Sequence, residues 1–212
     1  MMIVCCYTEI AKEWSEQELT DRLLLLPTPL RQAALRKKQW IDRQLSIGGK
    51  LLLTEALKHL GKGNMSLADI KYNSHHRPYF ETDIDFNISH SGNMVVCCVT
   101  DSGQIGIDIE QIKEIDLVDY TDYFTPNEWS IINDYTNRFE GFYDFWTRKE
   151  AVLKAIGTGF HTPLSSVDVS GNETKYNGIL YHIQARQIAN GYKLHIAATT
   201  KPEGADVIKV NL

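Results

Sequence analysis

The sequence predicts an α+β fold with a faint repeat which, if real, makes two similar α/β halves and places a ligand in the cleft between them. Three observations carry this expectation. Short apolar, β-rich runs alternate with long stretches of helical period. Gly, Pro, Asn and Asp punctuate the boundaries between them. The order strand, helix, turn, strand also occurs twice, offset by roughly one hundred residues. Identity between the two stretches is slight, so element order alone leaves one large domain and two small ones both open.

Residues 3–7 read as a buried strand. Residues 13–26 have a helical pattern that the prolines at 27 and 29 end, and residues 30–60 are mostly helical up to Gly61-Lys62-Gly63-Asn64. That second stretch carries Arg31, Arg36, Lys37, Lys38, Arg43 and Lys50, either a solvated face or a funnel for an anion. Residues 69–86 hold short extended pieces around Arg77-Pro78. Residues 94–100 are a strand, followed after a turn by 106–110. Thr125-Pro126-Asn127-Glu128 marks a helix start, and a strong helix covers 139–156 before Gly157. The rest is strand-like, with turns at 171–172, 177–178 and 190–191. The expected boundary gives an N-terminal half, 1–103, and a C-terminal half, 104–212.

The chain has 212 residues, 43% hydrophobic and 23% charged, as expected for an ordinary globular protein. Its net charge of -5 argues against a dedicated nucleic-acid binder. No basic leader precedes MMIVCCYTEI, and no apolar run approaches the ~20 residues that span a bilayer. The expectation is a soluble cytoplasmic protein. Cys5-Cys6 and Cys97-Cys98 are adjacent pairs on predicted strands, so neither bridges itself, and all four read as reduced small hydrophobes.

The chemistry concentrates in three segments. In Gly106-Ile107-Asp108-Ile109-Glu110 a strand puts both carboxylates on one face and both isoleucines on the other. Such a pair repels unless a cation or solvent intervenes, so it is either a metal face or an acidic outer face. On the 139–156 helix, Glu150 and Lys154 are four apart and share a side. They read as a surface pair, or as a third metal ligand or base with a phosphate-directed lysine. Three carboxylates without His or Cys favour a hard ion, Mg²⁺ above others, with Mn²⁺ as a substitute. Phe86-Asn87-Ile88-Ser89-His90-Ser91-Gly92 reads as a donor-rich loop able to approach phosphate, or as a loop with a structural histidine. Ser89-His90 is a poor hydrolytic pair, because chain neighbours rarely meet in triad geometry.

FNISHSG, GIDIE, FTPNEW and WTRKEAVLKAIGTG, in this order, resemble the phosphopantetheinyl transferase superfamily, with looser matches in DRQLSIGGKLL and HRPYF. The length resembles the single-chain Sfp-type pseudodimer. The resemblance implies transfer of 4′-phosphopantetheine from coenzyme A, as co-substrate, to a serine of an apo acyl or peptidyl carrier protein, releasing 3′,5′-ADP. It implies Asp108, Glu110 and Glu150 as metal ligands, with Glu150 and Lys154 catalytic. It implies Arg43, Arg77, Pro78, Ser89, His90, Asp108 and Lys154 as coenzyme contacts. Arg77 stands where the family more often has Lys. The segment with Phe160, Leu164 and Val167 is where the carrier would touch, and a monomer is expected, with no nucleic acid or membrane partner. A Mg²⁺-dependent nuclease or phosphoesterase, and a non-catalytic coenzyme A module, are the alternatives.

Overall fold

The computed structural model describes residues 2–159, 162–202 and 204–212. Strand β1 (Ile3–Glu9) leads into helices α1 (Glu16–Leu24), α2 (Thr28–Leu35) and α3 (Trp40–His59). Ser15 starts α1 with a capping box to Glu18. Two short strands, β2 (Lys71–Tyr72) and β3 (Pro78–Tyr79), precede the hairpin β4 (Asp85–Ser91) and β5 (Met94–Thr100). The second half repeats the plan. Strand β6 (Ile105–Gln111) is followed by α4 (Pro126–Asp134), α5 (Arg138–Ile156), β7 (Glu173–Tyr176), β8 (Ile179–Ala185) and β9 (Tyr192–Ala198), and β10 (Asp206–Lys209) comes last.

The sheet orders make the duplication explicit: β10-β1-β5-β4 in one sheet and β6-β9-β8-β7 in the other. In each, the opening strand pairs antiparallel with the second strand of the later hairpin, β1 with β5 and β6 with β9. Each sheet carries one long helix, α3 or α5, over an apolar core. A third core lies between the sheets, where Ile3 and Val96 meet Ile105, Ile107, Ile109, Leu194 and Ile196. Strand β5 is therefore buried on both faces, and this explains its unbroken apolar run. The last strand, β10, returns to pair in parallel with β1. The first half thus takes an edge strand from the chain's other end, which a division at 103/104 does not anticipate.

Two expectations are corrected. Residues 86–92 are not a donor-rich loop: 85–91 form β4, with Phe86 buried and Ile88 half-buried against the first core. The cysteines are not all reduced. The β1–β5 register sets Cys5 opposite Cys98 with Cα atoms 4.1 Å apart, and a disulfide joins them. Cys6 and Cys97 face each other on the opposite side of the sheet as buried free thiols. Burial pushes the Cys6 thiol up to about 11.

Candidate active site in the cleft between the halves

Strand β6 and helix α5 place the acidic residues. Gly106 is required because a Cβ there would lie 2.0 Å from the Ala151 carbonyl oxygen, so α5 packs backbone-close on β6. Adding that methyl forces the two elements apart, at about 1–3 kcal/mol. At its C-terminus α5 stops on Gly157, whose φ of 78° is left-handed and where an added Cβ would lie 2.7 Å from Arg77 Cδ. The close approach sets Asp108 beside Lys154: the ammonium donates to Asp108 Oδ1 at 2.5 Å and to Ser89 Oγ at 3.0 Å. Ser89 donates in turn to the same Oδ1 at 2.8 Å.

Asp108 Oδ2 is buried and has no hydrogen-bond partner. Burial raises the Asp108 carboxyl above its ordinary range, against the opposing pull of Lys154. Glu110, half-buried, is pushed up to about 7 by burial and then by the Asp108 charge, with Glu150 adding to it. Burial and then Asp108 raise Glu150 as well. The three carboxylates therefore feel one another across a shared space. Among the described residues, however, no three His, Cys, Asp or Glu side chains stand close enough together to form a ready-made metal cage.

A cavity of about 260 Å³ opens beside them, walled by His76, Arg77 and Asn87 from the first half and by Glu150, Lys154 and Leu164 from the second. Pro78 also lines it. Asn73 shapes the first wall by accepting the backbone N–H groups of His75 and Arg77. Arg77 ties this wall to the seam between the halves: its Nη2 donates both to Asp85 Oδ2 at 2.8 Å and to the Ile105 carbonyl at 3.2 Å. His90 stands exposed at the sheet edge. Its pKa is lowered by the protein packed around it, then by Lys154, with Lys37 adding and Asp42 opposing. It therefore feels the charge of cations from both halves.

Not every expected residue gathers here. Arg43 bonds the Lys37 carbonyl and does not line the cavity. Arg31 donates to the Leu26 carbonyl, so part of the basic run serves helix ends. Val167 is buried in the second core and offers nothing to a docking partner. Leu164 remains half-buried at the cavity, and Phe160 lies outside the described residues.

Sequence reasoning missed two arrangements. Lys149, one residue before Glu150, is fully buried with Glu128 at 2.8 Å. It also donates to the carbonyls of Leu164 and Val167, which ties the cavity-lining segment to α5. The capping box at Thr125 was visible, but nothing in the sequence links its Glu128 to Lys149. The second is a seam. Asp85, Asn87, Ser89 and Ser91 of β4 accept the backbone N–H groups of Ile105, Ile107, Ile109 and Gln111 on β6. Polar residues at every second position beside a strand were the only signal.

The model of the 4′-phosphopantetheinyl transferase superfamily matches residues 104–198. The chain is 35% identical over 147 residues to the 4′-phosphopantetheinyl transferase gsp of Aneurinibacillus migulanus, covering 68% of this chain and 61% of that one. It is 32% identical over 168 residues to a Haemophilus influenzae protein carrying the same family name, covering 75% and 70%. With the 4′-phosphopantetheinyl transferase ffp of Bacillus subtilis it shares 28% over 215 residues, 92% of each chain. The matched stretches span about three fifths of the length of several of these relatives.

Proposed function

The chain belongs to the 4′-phosphopantetheinyl transferase superfamily, and from that premise we propose that it moves the 4′-phosphopantetheine of coenzyme A onto a serine of an apo acyl or peptidyl carrier protein. The observation that carries this reading is the cleft, where Glu150 and Lys154 line a cavity walled by both halves, Asp108 pairs with Lys154 behind them, and Asp108 and Glu150 each raise the Glu110 carboxyl. Both halves come from one chain, so the proposed working unit is a monomer. Among the described residues no helix is long and apolar enough to cross a membrane.

The carboxylates suit a divalent cation. Asp108 Oδ2 is an orphaned buried oxygen, and Glu110 and Glu150 share its field. Asp108, Glu110 and Glu150 would hold Mg²⁺ or Mn²⁺, with water and phosphate oxygens completing the shell of a hard ion. When bound, that ion would neutralise charge on the pyrophosphate of coenzyme A.

This chain's own groups do the rest. Lys154 is within reach of Ser89 and Asp108, and its remaining donor would bind a phosphate oxygen near the mouth of the cavity. His90 and Ser89 would receive further phosphate oxygens. Glu150 has a carboxyl raised by burial, which improves it as a base toward a hydroxyl. The carrier serine oxygen would bond to the β-phosphorus while its proton passes to Glu150, directly or through a water. The bond from that phosphorus to the bridging oxygen breaks, and 3′,5′-ADP leaves with the electron pair.

The test is incubation with coenzyme A, Mg²⁺ and a panel of apo carrier proteins, read by intact mass. A carrier that acquires the phosphopantetheine mass supports the reading, and EDTA should stop the transfer. If no carrier in a broad panel changes mass, the assignment fails.

A further inference from the structure

Strand β6 has β9 on one edge and, on the other, the side chains of β4. The four contacts along that second edge share one spacing, each linking a β4 residue to the β6 residue twenty positions on. They are not chemically equal. Asp85 and Asn87 use a carboxylate or carbonyl oxygen, which only accepts. Ser89 and Ser91 use a hydroxyl, which accepts the N–H and still has a proton to donate. Both donate it to the carboxylate one residue earlier on β6. Ser89 Oγ reaches Asp108 Oδ1 at 2.8 Å, and Ser91 Oγ reaches Glu110 Oε2 at 2.5 Å. The Ser-x-Ser and Asp-x-Glu spacings are thus one two-residue period on two strands.

Ser89 shares its oxygen with Lys154, but Ser91 does not: its bonds go to the Gln111 N–H and to Glu110. We propose that Ser91 is a positioning residue that holds Glu110 by Oε2, leaves Oε1 open to a ligand, and thereby sets the divalent-cation affinity of the cleft. This rests on the reading of Glu110 as a metal ligand. A glutamate carboxylate on a free stem must be ordered when a cation arrives, and a hydroxyl that has already fixed it removes that cost. Because Ser91 belongs to the first half and Glu110 to the second, the docking of the halves fixes the aim of this ligand.

The experiment measures Mn²⁺ binding to the full chain by electron paramagnetic resonance. Ser91→Ala is expected to weaken binding about 10-fold, the lower end of the range for losing a group that orients a ligand. Ser91→Thr keeps the hydroxyl and should restore most of the affinity. In a Glu110→Gln background, Ser91→Ala should have no further effect. Unchanged affinity in Ser91→Ala, or an equal loss with Glu110→Gln already present, overturns the proposal. If the unaltered chain binds no Mn²⁺, the metal reading falls, and a crystal structure of Ser91→Ala still decides the positioning. A reoriented Glu110 side chain supports it, and an unmoved one refutes it.

Discussion

Lys149 and Lys154 lie on the same helix, and each pairs with one acid, yet their surroundings are opposite. Lys149 and Glu128 are both 0% exposed. The ammonium uses its three donors on Glu128, Leu164 and Val167, and Glu128 also accepts from the Thr125 and Val169 N–H groups. Lys154 is 28% exposed, and its partner Asp108 keeps one buried oxygen unbonded. The first pair has every valence filled and ties the 164–169 segment to α5, whereas the second keeps one buried oxygen unbonded and its Lys154 lines the cavity.

The comparison breaks most visibly at Lys149. Lys149→Ala leaves Glu128 buried without its cation and should cost about 3–5 kcal/mol of stability. Replacing both partners, Lys149→Met with Glu128→Leu, should recover only part of that loss, because the unpaired charge goes but the Val169 N–H and the Leu164 and Val167 carbonyls lose their partners. Urea unfolding checks both. If the double replacement regains stability but the Michaelis constant for the carrier rises, the pair also shapes the cavity wall.

A histidine of β9 also packs against α5. His195 is buried, bonds Thr147 at 2.8 Å and is faced by Asp144, Arg148 and Lys193. Burial holds its pKa down to about 4, against an ordinary 6.5, so it is neutral when folded. Between pH 6.5 and 4 the unfolded chain takes up a proton that the folded chain refuses. Stability is therefore full above 6.5 and falls as the pH drops through this window. From pH 7 to 4.5 the loss should be roughly 2–3 kcal/mol. His195→Asn should lose correspondingly less over that interval in urea unfolding at several pH values. An identical slope in the variant removes His195 as the cause.

On the open side the signs reverse. Asp108→Asn keeps the shape of the side chain but removes a buried charge with an unbonded oxygen. Transfer to a carrier should fall at least about 100-fold, in the range for losing one group that stabilises the reacting charge. The thermal midpoint should hold or rise, since the carboxylate is costly where it is. A large drop in the midpoint would put Asp108 with Lys149, as architecture.

The sequence made the first-order plan legible. The period-two run at 106–110 and the helical period over 139–156 located β6 and α5, and turn residues bounded both. The side of β6 that carries the acids followed from strand geometry. Contacts between elements far apart in the chain were not legible. Cys5 opposite Cys98 depends on register, Lys149 with Glu128 on how α4 crosses α5, and the β4–β6 seam on how two halves dock. Segment 86–92 misled because its serines and asparagine look like loop residues. They are polar because they face a strand edge whose N–H groups need acceptors.

Thr125 gives the finest test of whether the closed pair depends on its surroundings. Its hydroxyl accepts the Glu128 N–H at 3.2 Å, while its own N–H donates to Glu128 Oε2 at 2.8 Å. Glu128 therefore closes the cap of α4 with the same oxygen that meets Lys149. Thr125→Ala keeps the backbone donor and loses only the hydroxyl, so as a simple cap it should cost about 1 kcal/mol in urea unfolding. Combined with the Lys149→Met, Glu128→Leu pair, the same change should cost just as much if cap and ion pair are independent. A smaller cost in the apolar background would show that the hydroxyl acts by aiming Glu128 at Lys149, making the closed end of α5 one cooperative network.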